Sequence, residues 1–197
     1  MTYNFCLVID MQNDFIDGAL GSDEAEKIVP NVVNYIKNNR AHYIFTRDTH
    51  DEEKYKKSHE GKYLPIQHCI KGTDGWQISS EVMHAIENSN STYTIVDKST
   101  FGTFKPQEII KSLHDYIHRG EWREQPNDID GHDLNITIMG LDTDICVITN
   151  ALIIKTAFPE AEVNVVENCC AGSSVLKHKS ALSVMESCQI NILTEAL

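Results

Sequence analysis

Short apolar runs alternate with amphipathic helical patterns along this chain, and this alternation restricts its possible folds more than any other feature. Such alternation is typical of βαβ units, in which crossover helices join parallel strands. The apolar runs that we predict to be strands are Asn4–Ile9, Tyr43–Thr46, Thr92–Val96, Asn135–Met139, Val163–Val166 and Ile190–Leu193. The sequence therefore predicts an α/β protein with a six-stranded parallel sheet.

The helical periodicity is clearest after the first predicted strand. There the apolar residues recur at the spacing of one helix face: Ala25, Ile28, Val29, Val32, Val33 and Ile36. Ser22 or Asp23 can cap this helix. Four later helices are predicted at Ile78–Glu87, Pro106–His118, Asp144–Ala157 and Leu176–Ser187. Two longer loops, Asp48–Gln77 and Arg119–Asp133, interrupt the alternation.

Length and charge exclude several function classes. The 197 residues show no repeat or linker, so we expect a single domain over residues 1–197. A net charge of −12 argues against a nucleic-acid partner and against an anionic membrane surface. No signal-peptide pattern, membrane-length apolar run or CxxC spacing is present, so we expect a cytoplasmic protein with reduced thiols.

One cysteine lies where a predicted strand leads into a helix. The apolar run before Gly140 ends there, and Cys146 follows at the start of a helical pattern. A cysteine in the first helical turn faces unpaired N–H groups and the positive end of the helix dipole, which favour the thiolate. For such a cysteine considered alone, a buried structural thiol is the alternative interpretation.

Polar residues follow four consecutive predicted strands. These are Asp10, Asp48, Lys98 and Cys146, in chain order. The carboxyl ends of parallel strands meet at the edge where open α/β sheets bind ligands. There a carboxylate can accept the thiol proton, an ammonium can stabilise the thiolate, and the thiolate can attack a carbonyl carbon. The sequence therefore predicts a catalytic group of Asp10, Lys98 and Cys146. The alternative interpretation is that Asp10 is a helix-cap or turn residue and that Lys98 is a solvated surface lysine.

A second group of polar residues lies after the second strand. Asp48 and His50 are two residues apart, and His68 lies in the same long loop. Two imidazoles and a carboxylate suit zinc or another first-row divalent ion, with positions left for water or substrate. On spacing alone, solvated loop histidines remain the alternative.

Several of these segments together resemble the isochorismatase-like cysteine hydrolases, and within them the nicotinamidase/pyrazinamidase branch. The similarity spans nearly the whole chain. It is carried by Val8–Phe15, by Lys98–Phe104, by Gly140–Val147, by Asp48-x-His50 with Pro65–Thr73, and by Ala171–Leu182.

The resemblance implies a Rossmann-like three-layer α/β/α fold and a catalytic triad made of the aspartate, lysine and cysteine above. It implies a cis peptide bond between Leu141 and Asp142, and an oxyanion hole formed by the backbone N–H groups of Asp142 and Cys146. It also implies one bound divalent metal ion, zinc first with iron or manganese as alternatives. The ligands would be the Asp48, His50 and His68 side chains, with Glu60 or water as further candidates.

The function implied by the resemblance is hydrolysis of nicotinamide, and of pyrazinamide, to the acid and ammonia through a thioester, as in NAD salvage. We expect a small-molecule amide as substrate and a homo-oligomeric assembly. Four apolar residues near the motifs could line a pocket for the substrate ring: Phe15, Leu20, Phe101 and Phe104. Ordinary core packing is the alternative for these four.

Two other hypotheses stay open at this point. The first is a cysteine amidohydrolase acting on another small amide or on an N-carbamoyl compound. The second is a catalytically idle member of the fold that acts as a binding or scaffold subunit. Bound metal would distinguish the nicotinamidase from the first alternative, and thiol reactivity would distinguish both enzymes from the second.

Overall fold

Six parallel strands form one twisted sheet in the computed structural model, which describes residues 2–110 and 131–194. The strands are β1 Tyr3–Ile9, β2 His42–Asp48, β3 Thr92–Lys98, β4 Leu134–Leu141, β5 Glu162–Ala171 and β6 Asn191–Leu193. They are arranged in the order β3-β2-β1-β4-β5-β6. The predicted α/β fold with a six-stranded parallel sheet is therefore confirmed. Because the order reverses between β1 and β4, the ligand crevice of such a sheet is expected beside their carboxyl ends.

Helices flank the sheet on both faces. They are α1 Asn13–Ile16, α2 Asp23–Asn38, α3 Glu52–Tyr55, α4 His59–Tyr63, α5 Ser80–Glu87, α6 at residues 105–110, α7 Ile148–Ala157 and α8 Val175–Ser187, with a π-helical turn at Thr143–Val147 before α7. Ser22 rather than Asp23 caps α2, because its side chain accepts a hydrogen bond from the Ala25 N–H. Among the helices in the described ranges, none has the length and apolar character needed to cross a membrane.

Part of the prediction lies outside the described residues. The helix predicted at Pro106–His118 begins as expected, but the part of this prediction after residue 110 and almost all of the predicted loop Arg119–Asp133 lie outside the described residues. The short helices α1, α3 and α4 are absent from the prediction, and the last two lie in the segment predicted as the loop Asp48–Gln77, because four or five residues are too few to show a helical period.

β2 and β3 extend further than predicted, and this changes where their polar residues lie. Asp48 and Lys98 are the last residues of these two strands rather than residues that follow them. The parallel register pairs Asp48 directly with Lys98. Both side chains are buried, and their opposite charges allow the pairing of β2 with β3 to continue to the edge of the sheet.

Close packing of β1 against β4 depends on a glycine at the carboxyl ends of these two strands, where the strand order reverses. Ile9 pairs with Gly140, whose φ of +122° is disfavoured for residues with a side chain. A Cβ at Gly140 would collide with the Ile9 backbone carbonyl. The glycine therefore lets the two strands that lead to Asp10 and Cys146 run at normal sheet spacing.

Replacing Gly140 by Ala is expected to destabilise the protein through both the collision and the backbone strain. Strain at such a position costs on the order of 1–3 kcal/mol on its own. Gly72→Ala is the matched control, since Gly72 has a φ of +89° but its Cβ would meet nothing within 4 Å. Urea unfolding should show a larger loss in the free energy of unfolding for Gly140→Ala, and equal losses in the two variants would contradict the packing explanation.

Candidate active site

A single lysine ammonium joins the polar residues at the edge of the sheet. Lys98 Nζ lies 2.6 Å from Asp10 Oδ2 and 3.6 Å from Asp48 Oδ1. It also donates a hydrogen bond to Cys146 Sγ at 3.6 Å. The structure thus brings together the three residues of the predicted triad and places a predicted metal ligand beside them.

Asp10 is held in place by the neighbouring strand. Its φ is +48°, and Thr46 Oγ1 of β2 donates a 2.7 Å hydrogen bond to Asp10 Oδ1. The other carboxylate oxygen, Asp10 Oδ2, faces Lys98 Nζ at 2.6 Å, and the Asp10 carboxylate also interacts with the Cys146 thiol. The second oxygen can therefore accept a proton, while Thr46 fixes the first. Thr46 was missed from the sequence because a threonine inside a strand gives no catalytic signal.

The backbone around Cys146 forms a π-helical turn rather than the first turn of an α-helix. The Asp142 carbonyl accepts from the N–H groups of both Ile145 and Val147, each at 3.0 Å. Asn150, which is fully buried, donates from Nδ2 to the Cys146 carbonyl at 2.8 Å. This turn holds Cys146 beneath Lys98 at the carboxyl end of β4.

The expectation that the site favours a resting thiolate is wrong. Burial and the negative charge of Asp10 raise the pKa of Cys146 well above its ordinary value, and Lys98 only partly opposes them. Helix-start N–H groups suggested the opposite, but the sequence could not show how completely the sulfur is buried. A thiol whose pKa is raised needs a base to take its proton during attack.

Lys98 itself stays charged. Burial lowers the pKa of the Lys98 ammonium, but the neighbouring acidic groups of Asp10, Cys146 and Asp48 outweigh burial and raise it above its ordinary range. Burial raises the pKa of Asp10, and the positive charge of Lys98 opposes that shift. A protonated lysine beside a carboxylate and a thiol is the charge state that acid–base chemistry at Cys146 requires.

The C-terminal motif holds the turn from its other side. Thr143 Oγ1 and His178 Nδ1 are hydrogen-bonded at 2.8 Å, and Ser173 Oγ donates to Asp144 Oδ2 at 2.7 Å. The first of these two bonds joins the turn to α8. The sequence could not reveal this bond because 35 residues separate its two partners.

Asp142 lies between β4 and the turn. The Leu141–Asp142 peptide bond is cis, in agreement with the resemblance. Burial, followed by the charge of Asp144, raises the pKa of Asp142 to about 7. The oxyanion hole expected from the backbone N–H groups of Asp142 and Cys146 stays a prediction.

The predicted metal ligands converge a short distance away. One ligand atom from each of Asp48, His50, Glu60 and His68 lies within 4.8 Å of the other three. Asp48 Oδ2 is 2.8 Å from His50 Nε2 and 3.5 Å from His68 Nε2. Glu60 Oε1 lies 3.9 Å and 3.8 Å from the same two nitrogens. Two imidazoles and two carboxylates facing one point fit a divalent ion such as zinc.

The protonation of the cluster also suits metal binding. The Ile66 carbonyl can only accept, so the 2.9 Å bond to His68 Nδ1 places the proton on that nitrogen and leaves Nε2 for a ligand bond. Burial would raise the pKa of Asp48, but the neighbouring imidazoles of His50 and His68 and the charge of Lys98 hold it below its ordinary value. Asp48 is therefore an ionised candidate ligand.

Tyr55 supports both imidazoles and was missed from the sequence. Its ring centroid is 4.8 Å from that of His50 and 5.2 Å from that of His68. Its hydroxyl donates to the Leu64 carbonyl at 2.8 Å. Within a long polar loop, no periodic pattern marks this residue as buried.

The four expected pocket residues do not share one environment. The Phe15 ring is buried 5.5 Å from the His68 ring, and Leu20 packs partly buried against the core. The Phe101 carbonyl accepts from Asn150, and its side chain is half exposed. Phe104 is 67% exposed. A closed apolar pocket lined by all four residues stays a prediction.

The fold and this grouping of side chains define an α/β protein of the hydrolase type. The chain belongs to the isochorismatase domain family, whose match covers residues 4–196, and is an isochorismatase-like hydrolase. A comparison with curated protein sequences gave no match.

Solved structures share the fold over almost the whole chain. A pyrazinamidase of Pyrococcus horikoshii, solved in complex with zinc, is 26% identical, with a TM-score of 0.70 over 96% of this chain and 98% of that one. A nicotinamidase from Bacillus subtilis is 22% identical, with a TM-score of 0.74 and coverage of 98% and 99%. An N-carbamoylsarcosine amidase from Thermoplasma acidophilum is 19% identical, with a TM-score of 0.68 and coverage of 98% and 96%. The last two similarities show the shared fold only.

Lys98→Met is expected to raise the pKa of Cys146 further, because it removes the one nearby charge that lowers this pKa. Each unit of increase in the pKa of Cys146 would slow its alkylation by iodoacetamide about tenfold at a fixed pH below that pKa. Lys71→Met is the control, since Lys71 is 66% exposed and pairs only loosely with Asp97 at 3.9 Å. The pH dependence of alkylation, followed by mass spectrometry of the Cys146 peptide, should shift only in Lys98→Met, and an unchanged profile would show that Lys98 does not tune the thiol.

Proposed function

We propose that this protein is a metal-dependent cysteine amidohydrolase that converts nicotinamide, and also pyrazinamide, to the acid and ammonia. The observation that carries the proposal is the shared contact of Lys98 with Asp10, Cys146 and Asp48. This contact puts a protonated thiol with its base directly beside a cluster suited to a divalent ion. The site therefore combines a nucleophile with a group that could orient a substrate.

The proposed reaction begins with proton transfer from Cys146 to Asp10 as the sulfur attacks the carboxamide carbon. The Asp142 and Cys146 backbone N–H groups would stabilise the oxyanion of the tetrahedral intermediate. Asp10 then gives the proton to the leaving nitrogen, so that ammonia departs and a thioester remains on Cys146. Asp10 next takes a proton from water as the hydroxide attacks the thioester, and it returns this proton to the departing sulfur, so that the thiol is restored as the carboxylic acid leaves. Lys98 keeps the charged aspartate and sulfur stable throughout.

The metal part of the proposal rests on the donor set. Asp48, His50, His68 and Glu60 would hold the ion, and the P. horikoshii pyrazinamidase was solved with zinc. Iron or manganese would suit the same oxygen and nitrogen donors. When bound, the ion would offer an open coordination position to the ring nitrogen of a pyridine carboxamide. Phe15, which packs beside His68, could contact the ring of such a substrate.

A second candidate is hydrolysis of an N-carbamoyl compound. An N-carbamoylsarcosine amidase shares this fold over 98% of the chain, and the same sheet edge would serve both substrate classes. A catalytically idle scaffold is less well supported, since a buried lysine shared among three acidic groups would be costly to keep without a use. The proposal also includes a single domain over residues 1–197, a homo-oligomer and a cytoplasmic role in NAD salvage.

The purified protein is expected to bind about one equivalent of zinc per chain through its carboxylate and imidazole donors. His50→Ala should lose most of this zinc. His42→Ala is the control, because His42 lies at the end of β2 away from the metal cluster and its ring is hydrogen-bonded to Thr92 and Thr94. Metal analysis after dialysis against zinc decides the point, and an empty wild-type site would favour the N-carbamoyl candidate.

Nicotinamide and pyrazinamide are expected to be hydrolysed far faster than benzamide, which has nearly the same shape but no ring nitrogen. Losing an interaction that a site is built to make can cost on the order of 10⁴-fold in kcat/KM. Ammonia release should be measured for the three amides and for an N-carbamoyl amino acid. Comparable values for benzamide and nicotinamide would remove the substrate assignment while leaving the thiol chemistry in place.

The same assay tests the nucleophile. Cys146→Ala should abolish ammonia release, because no sulfur remains to form the thioester. Cys188→Ala is the matched control, since Cys188 is an exposed free cysteine. Retained turnover in Cys146→Ala would end the proposed mechanism.

A further inference from the structure

A buried glutamine holds the end of β2, although neither the triad nor the metal cluster includes it. Gln12 follows Asp10 by two residues and is fully buried. Its Oε1 accepts a 2.6 Å hydrogen bond from the Asp48 backbone N–H. Its Nε2 donates to the Asp48 carbonyl at 2.9 Å and to the Trp76 carbonyl at 2.8 Å. The side-chain amide therefore binds the backbone of Asp48 on both sides of its Cα.

The amide fits this place through both its length and its chemistry. Two donors and one acceptor are used, so the polar atoms of Gln12 are satisfied inside the protein. Asparagine would be one methylene too short to span the same gap. Glutamate at neutral pH would place a carboxylate against two carbonyl oxygens, with nothing to donate to them.

Gln12 also connects the two halves of the site. The chain leaves β1 at Asp10 and reaches Gln12, which pairs with Ile78 in an isolated antiparallel bridge. The loop before Ile78 is anchored as well, because Trp76 Nε1 donates to Thr49 Oγ1 at 2.8 Å. The segment that carries the catalytic aspartate is thereby fixed to the backbone that carries a metal ligand.

We infer that Gln12 is a positioning residue for the metal site, which it serves by fixing the Asp48 backbone so that the carboxylate faces His50 and His68. This inference rests on the proposed function, because it assumes that the cluster binds a divalent ion. A ligand held in position before the ion arrives loses less freedom on binding. Loss of an outer partner of a metal ligand typically weakens metal affinity by about 10–100-fold.

The test is zinc affinity, measured by competition with a chromophoric chelator on the purified protein without substrate. Gln12→Met keeps the side-chain length but removes every hydrogen bond, so zinc affinity should fall about 10–100-fold. Gln12→Glu keeps an oxygen that accepts from the Asp48 N–H but turns its second carboxylate oxygen toward two carbonyls, so its zinc affinity should also fall below that of wild type. If Gln12→Met does not fold, the loss in Gln12→Glu relative to wild type carries the test.

Asn13→Ala is the matched control. Asn13 is the next residue and also an amide, and its Nδ2 donates to the Asp74 carbonyl at 2.9 Å, in the loop that Gln12 contacts but away from Asp48. It should retain wild-type zinc affinity even if its melting temperature falls. The alkylation rate of Cys146, read in each variant, shows whether the sheet edge remains folded.

The outcomes separate the inference from the proposed function. Wild-type affinity in folded Gln12→Met, or an equal loss in Asn13→Ala, would overturn the positioning role while leaving the metal site intact. No zinc binding by the wild-type protein would overturn the metal part of the proposed function, and the positioning role with it. Weakened binding in both Gln12 variants, with Asn13→Ala and thiol alkylation unchanged, is the expected result.

Discussion

The buried ammonium of Lys98 is the interaction on which the rest of this site depends. Two carboxylates and a thiol lie around it with almost no access to water, and burial of uncompensated charge on this scale would be very costly. The single positive charge allows Asp10 and Asp48 to coexist at the sheet edge. It also keeps the pKa of Cys146 lower than burial and Asp10 alone would make it.

The sheet geometry explains how one lysine can reach all three partners. Parallel register sets Asp48 and Lys98 opposite each other at the ends of β2 and β3. The reversal of strand order brings Asp10 of β1 next to the turn after β4 that carries Cys146. Gly140 permits the approach of those two strands, because no side chain separates its backbone from the Ile9 carbonyl. The site is thus assembled from strand ends, which are among the most rigid parts of such a fold.

Buried side-chain amides secure both halves of this arrangement. Gln12 binds the backbone of Asp48 on the metal side. On the other side, Asn150 donates to the Cys146 carbonyl and to the Phe101 carbonyl, and it accepts from the Thr103 N–H. Each amide therefore links a segment that bears a reactive side chain to a neighbouring loop. Neutral amides can do this inside the protein without adding charge to a site whose charge balance is already demanding.

The sequence by itself determined the fold class and which reactive residues would meet. Alternating apolar runs and helical periods predict the parallel sheet, because such patterns depend only on residues that are close together in the chain. The carboxyl ends of the predicted strands then place Asp10, Asp48, Lys98 and Cys146 at one edge of the sheet. The supporting contacts could not be predicted in the same way. Thr46, Gln12, Tyr55 and His178 act through partners that are distant in the chain or through buried backbone groups, and such residues have no pattern of their own. Only the tertiary structure decided the charge state of the cysteine, because the pKa of Cys146 depends on burial and on the separation of charges in space, and neither is encoded by spacing along the chain.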